Sequence, residues 1–215
     1  MTLLVLCFGV LVCSNRTVHQ LVQPDTVHLV LYNQSTHKTS TGLIKMGSSS
    51  SKPALQAMKR KIDPDTVMGT WYVQGVIPTV FETNAWNCVE NYGWTNKEKQ
   101  EFKVTFKYKQ GKKDQVMYQD GYVHNKETGA EWRVRPRFFG GIVPLPTWLA
   151  FLILDCPSDK NPDYPMVVGV PDRSYVWIMS RKTEMDENLY NEVVQRCKSE
   201  WEYDIEKLIK VEQKW

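Results

Sequence analysis

Residues 102–109 (FKVTFKYK) alternate without a break: Phe102, Val104, Phe106 and Tyr108 fall on one side, Lys103, Thr105, Lys107 and Lys109 on the other. A side-chain period of two, with one apolar and one charged face, specifies an antiparallel strand whose outer face is wet. The same period recurs in short runs over 69–77, 87–95, 115–124, 131–136, 148–155, 164–170 and 174–181. Turn residues punctuate them at Gln110-Gly111-Lys112, Thr128-Gly129, Gly140-Gly141 and Pro171-Asp172. Eight strands at near-regular spacing predict an all-β domain, and closing the meander into an eight-stranded antiparallel up-and-down barrel removes its exposed edges. The period then changes. Leu189, Val193, Cys197 and Trp201 fall four apart, which predicts an amphipathic α-helix over 186–200, with Asp186 and Glu187 in its first turn and Arg196 and Lys198 in its last. One C-terminal helix after a barrel is expected to pack its stripe on the barrel's outside.

Upstream, the pattern differs. Residues Leu3 to Val12 form an apolar run of about the length of a signal-peptide core, too short to span a bilayer, so residues 1–14 read as a signal-peptide-like segment. Residues 15–62 are rich in Ser, Thr, Lys and Gln, and read as a disordered or transit-like leader that cannot bury enough apolar surface to offset its chain entropy. Charge and aromatics divide at the same place. Residues 1–62 carry seven basic side chains against Asp25 alone, and only Phe8 and Tyr32 among their aromatics, whereas 63–215 is aromatic-rich and slightly acidic. The net charge of +3 is therefore the sum of a basic leader and an acidic domain. No nucleic-acid partner is expected, because phosphate binding needs a basic face on the folded part. Two destinations stay open: the secretory pathway, secreted or membrane-associated, with Asn15-Arg16-Thr17 and Asn33-Gln34-Ser35 as glycosylation acceptors, or a plastid in a photosynthetic host.

Four stretches give the domain a family resemblance: GTWYVQGVIPTVFE (69–82), NCVENYGW (87–94), YPMVVGVPDRSYVWIMSR (164–181) and YDIEKLIKVEQ (203–213). A Gly-x-Trp at a strand start, joined to a late Arg181 on the eighth strand, resembles the lipocalin family, in the branch of the outer-membrane lipocalins and apolipoprotein D. The resemblance spans about residues 63–213. It implies an architectural role for Gly69, Trp71, Arg181 and Asp155, with the Arg181 guanidinium stacked over the Trp71 indole at the closed base. About six extra residues after Cys156 (PSDKNP) imply a lengthened loop between the sixth and seventh strands, at that closed end.

With Arg181 at the base, strand alternation places Met179, Trp177 and Tyr175 successively toward the mouth on the same inner face. The same reasoning from Trp71 places Val73 and Gly75 inward. The resemblance implies Tyr92 as a cavity residue, with Trp94 and Glu90 sharing its parity. These residues either line a cavity for one small hydrophobic ligand or fill the barrel as core. Phe81, Trp86, Trp132, Phe138, Phe139 and Trp148 fall at or near strand ends, and in this family some of those loops form the open mouth, which implies gating or peripheral contact with a membrane. Relatives often tie a cysteine near position 88 to one close to the C-terminus. That points to Cys197 as a partner for Cys88, or to no disulfide at all.

Catalytic chemistry is poorly supplied. His124 is the lone histidine after residue 62, and the domain has no Cys-x-x-Cys, no paired histidine ligands, no Gly-x-Ser-x-Gly and no phosphate-cradling glycine loop. The expectation is a non-enzymatic carrier with no catalytic residues, metal or cofactor, a monomer or weak dimer. Its cargo would be a fatty acid, lysophospholipid, sterol, carotenoid or other pigment. The alternative is an enzyme of the xanthophyll de-epoxidase type, which needs acids such as Glu90 and Asp155 pointing into the cavity.

Overall fold

The computed structural model describes residues 52–79, 82–158 and 161–215 in full and, within the first 51, the backbone of three strands. Those three, Arg16–Gln23, Thr26–Asn33 and Thr39–Leu43, pair antiparallel in sequence order, with Val22 opposite Val27 at the first turn. This differs from the unstructured arm expected there. Polar alternation with β-branched and leucine residues (TVHLVLYN) gives the segment strand propensity, with Tyr32 as its one aromatic. The signal-like residues 1–14 and Asn15 lie outside the described residues, as does Phe81.

The second unit begins at Ala54, nine residues before the expected boundary at Asp63. The segment 54–62 hydrogen-bonds along the barrel, from Leu55 N–H to Pro171 O (2.8 Å), Met58 N–H to Ile153 O (2.9 Å) and Ile62 N–H to Thr128 O (2.8 Å), and buries Leu55 and Ile62. Eight strands follow: β1 (Gly69–Ile77), β2 (Ala85–Asn96), β3 (Glu101–Gln110), β4 (Lys113–Asn125), β5 (Glu131–Phe138), β6 (Leu149–Asp155), β7 (Met166–Gly169) and β8 (Val176–Ser180). Neighbours pair antiparallel. β8 returns to β1, with Trp177 opposite Val76, and β5 pairs β6, with Trp132 opposite Phe151, so the sheet closes. The expected barrel is present.

Helix α1 (Glu187–Ser199) starts at Asp186, whose carboxylate accepts from Leu189 N–H at 3.0 Å. It buries Tyr190, Val193 and Cys197 against the outward faces of Ile77, Val176 and Ile178, forming a second apolar layer beside the barrel interior. Arg196 pins the helix to the end of β6 through Asp155 at 2.6 Å. No helix among the described residues is long and apolar enough to cross a membrane.

Two irregularities reshape the wall. The ladder between β1 and β8 slips one residue between Ile178 and Met179, so that Val73 stays inside but Gly75 turns outward. This corrects the expectation that Gly75 faces the interior; Val76 takes the inward place. A methyl group on Gly75 would sit 2.8 Å from the Tyr190 hydroxyl. Gly75→Ala is therefore expected to push α1 off the wall at a cost of about 1–3 kcal/mol, measured by urea unfolding. A Tyr190→Phe background should restore part of that loss; no cost in the single variant would contradict the close approach.

The second irregularity is a split seam. β1 and β2 are paired only from Gly69–Tyr92 to Tyr72–Val89. Along the mouth half, residues 209–214 take β2's place: Ile209 pairs with Val76 and Lys210 with Gly75, Val211 N–H donates to Gln74 O at 2.8 Å, and the Gln213 amide donates to Val73 O at 2.7 Å. On the other edge, Asn87 N–H donates to Glu212 O at 2.9 Å, and Val211 is buried in the interior cluster.

Candidate functional site

The barrel is filled at one end and open at the other. At the base, the turn Pro64–Val67 caps the barrel, and the Trp71 indole donates to Val67 O at 2.7 Å. The Arg181 guanidinium lies 3.7 Å from the centre of that indole ring. It donates to Thr70 O (2.8 Å), Thr66 O (2.7 Å) and Met68 O (2.8 Å). Gly69 adopts φ +94°, a conformation open to glycine, and lets the chain pass under Arg181. Above this floor, Trp132 touches Phe102 (ring centres 4.5 Å apart), Tyr92 (6.1 Å) and Phe151 (6.3 Å), and these rings close the lower half of the interior. Trp132, one of the aromatics expected near strand ends, stands at the start of β5 and is fully buried at this level, its indole donating to Gly129 O at 2.7 Å.

The upper half holds a chamber of about 230 Å³. Its walls are apolar, from Phe106, Met117, Val134, Pro136, Ala150, Phe151 and Val170, and its polar groups are few: Thr79, Glu82, Glu90, Gln119, Tyr175 and Trp177. An enclosed apolar chamber with a small number of placed polar groups is the usual form of a small-molecule site.

Two of those polar groups are buried carboxylates. Glu90, on β2, accepts a hydrogen bond from the Tyr92 hydroxyl. Burial pushes its carboxyl up to about 7; the Tyr92 bond opposes the rise and the neighbouring Glu82 adds to it. Glu82, in the loop after β1, accepts from Thr79 N–H (3.0 Å) and Thr79 Oγ1 (2.7 Å) and from the Trp177 indole (2.8 Å). Sequence reasoning missed Glu82. The signal was the Thr79-x-x-Glu82 spacing, in which a side chain reaches back to the backbone N–H three residues earlier. Cys88 lies beside this pair, and burial, with both carboxylates, pushes its thiol up to about 12, so it stays protonated and unreactive.

Of the expected cavity residues, Trp177, Tyr175 and Glu90 line the chamber. Val73, Met179 and Tyr92 lie in the interior core below it. Trp94 sits at the base, its indole donating to Asp65 at 2.7 Å, and does not reach the chamber. Asp155 is on the outside, accepting from Cys156 N–H at 2.8 Å and from Arg196. Of the two acids named for the enzyme reading, Glu90 lines the chamber and Asp155 does not. Of the two alternatives for Cys88, the structure has the unpaired one: Cys88, Cys156 and Cys197 are free thiols, with Cys88 in the interior cluster and Cys197 in the layer beneath α1. At the rim, Phe139 and Ile142 are about three-quarters exposed, and Val143, Trp148 and Leu149 are exposed beside them.

A closed eight-stranded antiparallel barrel, sealed at one end by a Trp–Arg pair and hollow at the other, is the calyx architecture. The lipocalin-like domain model matches residues 62–213, and the chain belongs to that family. Over 54 residues it is 44% identical to temperature-induced lipocalin-1 of Arabidopsis thaliana; the match spans 25% of this chain and 28% of that relative. Among solved structures it is similar to insecticyanin of the tobacco hornworm Manduca sexta (TM-score 0.54, 16% identity, 75% of this chain and 84% of that one). It is also similar to H1 crustacyanin of the lobster Homarus americanus (TM-score 0.52, 10% identity, 76% and 90%). At such identities these likenesses show the fold alone.

Proposed function

We propose that this chain is a non-enzymatic carrier, a monomer or weak dimer, that holds one small hydrophobic molecule in the chamber above the aromatic plug. The observation that carries the reading is the chamber itself: the upper barrel is hollow, apolar and bounded below by rings that leave no further room. Burial of apolar ligand surface supplies the affinity, at about 25 cal/mol per Å². Its volume of about 230 Å³ lies below the ~300–1,000 Å³ usual for drug-sized ligands. A short fatty chain or small amphiphile fits it, whereas a carotenoid or haem-like pigment requires the mouth to widen.

The name of the Arabidopsis relative supports a role in temperature stress, and the exposed Phe139 and Ile142 at the rim support peripheral contact with a membrane from which cargo is taken. The apolar run and basic leader support entry to the secretory pathway, with plastid delivery as the other destination. To test the carrier, the full chain is purified, denatured and extracted for mass spectrometry, and the emptied protein is titrated with short-chain lipids. A co-purified amphiphile and quenching of tryptophan emission are expected, with most of the quenching lost in Trp177→Phe. A protein that carries nothing and whose emission no lipid alters would overturn the reading.

A further inference from the structure

Resting on the carrier reading, we infer that the chamber selects amphiphiles whose polar end is an amine or a neutral hydroxyl, and rejects those ending in a carboxylate. Two acids reach the chamber from different elements, Glu90 from β2 and Glu82 from the loop between β1 and β2, and among the described residues no lysine, arginine or histidine lines it. The nearby arginines are committed elsewhere. On β5, Val134 and Pro136 take the inward positions, and Arg135 and Arg137 instead bind Asp120 at 3.0 and 2.6 Å. Arg181 is spent on three floor carbonyls. A carboxylate ligand would thus be desolvated beside two carboxylates, with neutral donors as its compensation.

The acceptor capacity of the pair is also unfilled. Both oxygens of Glu82 are occupied, Oε2 by Thr79 and Oε1 by Trp177. Glu90 is only 4% exposed, and its Oε2 takes the Tyr92 hydroxyl. Among the described residues its other oxygen receives no donor, on a side chain that lines the chamber. That oxygen is open to the chamber rather than sealed in the core, and a ligand N–H or O–H there restores a hydrogen bond that only solvent otherwise supplies. An ammonium restores it and offsets the charge as well.

The test is calorimetric titration of the emptied full chain at pH 8 with three ten-carbon probes: decylamine, decanol and decanoate. Decylamine is expected to bind roughly tenfold or more tighter than decanoate, with decanol between them. In Glu82→Gln/Glu90→Gln the spread should narrow to about threefold, decanoate gaining and decylamine losing. Should the double variant fold poorly, Glu90→Gln alone keeps an acceptor for Tyr92 and narrows the spread in the same direction. The natural chain provides a third comparison: of the titratable groups that meet there, Glu90, Glu82, Tyr92 and Cys88, burial raises Glu90 to about 7, so it gains a proton by pH 5.5, and keeps Tyr92 and Cys88 protonated throughout, and the decanoate penalty should fall. Decanoate binding as tightly as decylamine, or a spread that neither variant nor pH alters, would overturn the inference and leave the carrier standing. Failure of all three probes to bind would overturn the carrier reading itself.

Discussion

Replacing Arg181 with alanine is expected to cost the barrel about 3 kcal/mol. Three backbone carbonyls, those of Thr66, Met68 and Thr70, lose their donor together, and the Trp71 ring loses its cover. For a domain of this size that corresponds to a fall in Tm of roughly 6–12 °C. Arg181→Lys is the sharper variant. A lysine ammonium keeps the charge but not the planar fork that reaches three carbonyls while stacking on an indole, so Lys should fall nearer to Ala than to the natural protein. Thermal melts read the loss, and a red shift of tryptophan emission reports Trp71 becoming wet. A lysine variant as stable as the natural chain would show that charge alone closes the base.

The second large effect is set by pH and Glu90. Its carboxyl is raised from about 4.5 to about 7 in the folded barrel by burial. Between those values the folded state holds a proton that the unfolded state has released, so stability falls as pH rises through this window and levels off above it. The full drop is on the order of 3 kcal/mol. Glu90→Gln removes the titration while keeping an acceptor for the Tyr92 hydroxyl. The variant should match the natural protein near pH 4.5 and exceed it by up to about 3 kcal/mol at pH 8, as read by urea unfolding at each pH. Carboxylates such as Asp120, held low by Arg135 and Arg137, lose stability in the opposite direction at lower pH, so the difference between the two curves is the quantity that matters. A constant difference across the window would mean that Glu90 does not titrate there.

The strands and the helix were legible because each has a clean period, and the floor because Trp71 and Arg181 occupy defined strand positions. What escaped the sequence did so for physical reasons. Gly75 was assigned inward by counting in twos from Trp71, and a one-residue slip in the ladder reverses such a count locally. Tyr190 did not belong to the four-apart stripe of α1, yet it fills the space that Gly75 leaves. Asp155 shares a chain neighbourhood with the interior but is drawn outward by Arg196. Glu82 lies in a loop, where no period marks which side faces the cavity, and only its bonds to Thr79 and Trp177 fix it there. Residues 209–214 carry too short a pattern to announce a strand, and they earn that role only from the gap between β1 and β2.

That gap makes residues 209–214 a stave of the calyx, held by β1 on one edge and by Asn87 on the other. The ladder from Gly69–Tyr92 to Tyr72–Val89 makes no use of residues 209–214, so the upper wall alone depends on them. Peeling them withdraws Val211 from the interior and bares the amide edge of Val73–Ile77 next to Cys88. The C-terminal end is therefore a working part of the container wall, and an affinity handle fused there pulls on the latch of the vessel it is meant to leave alone.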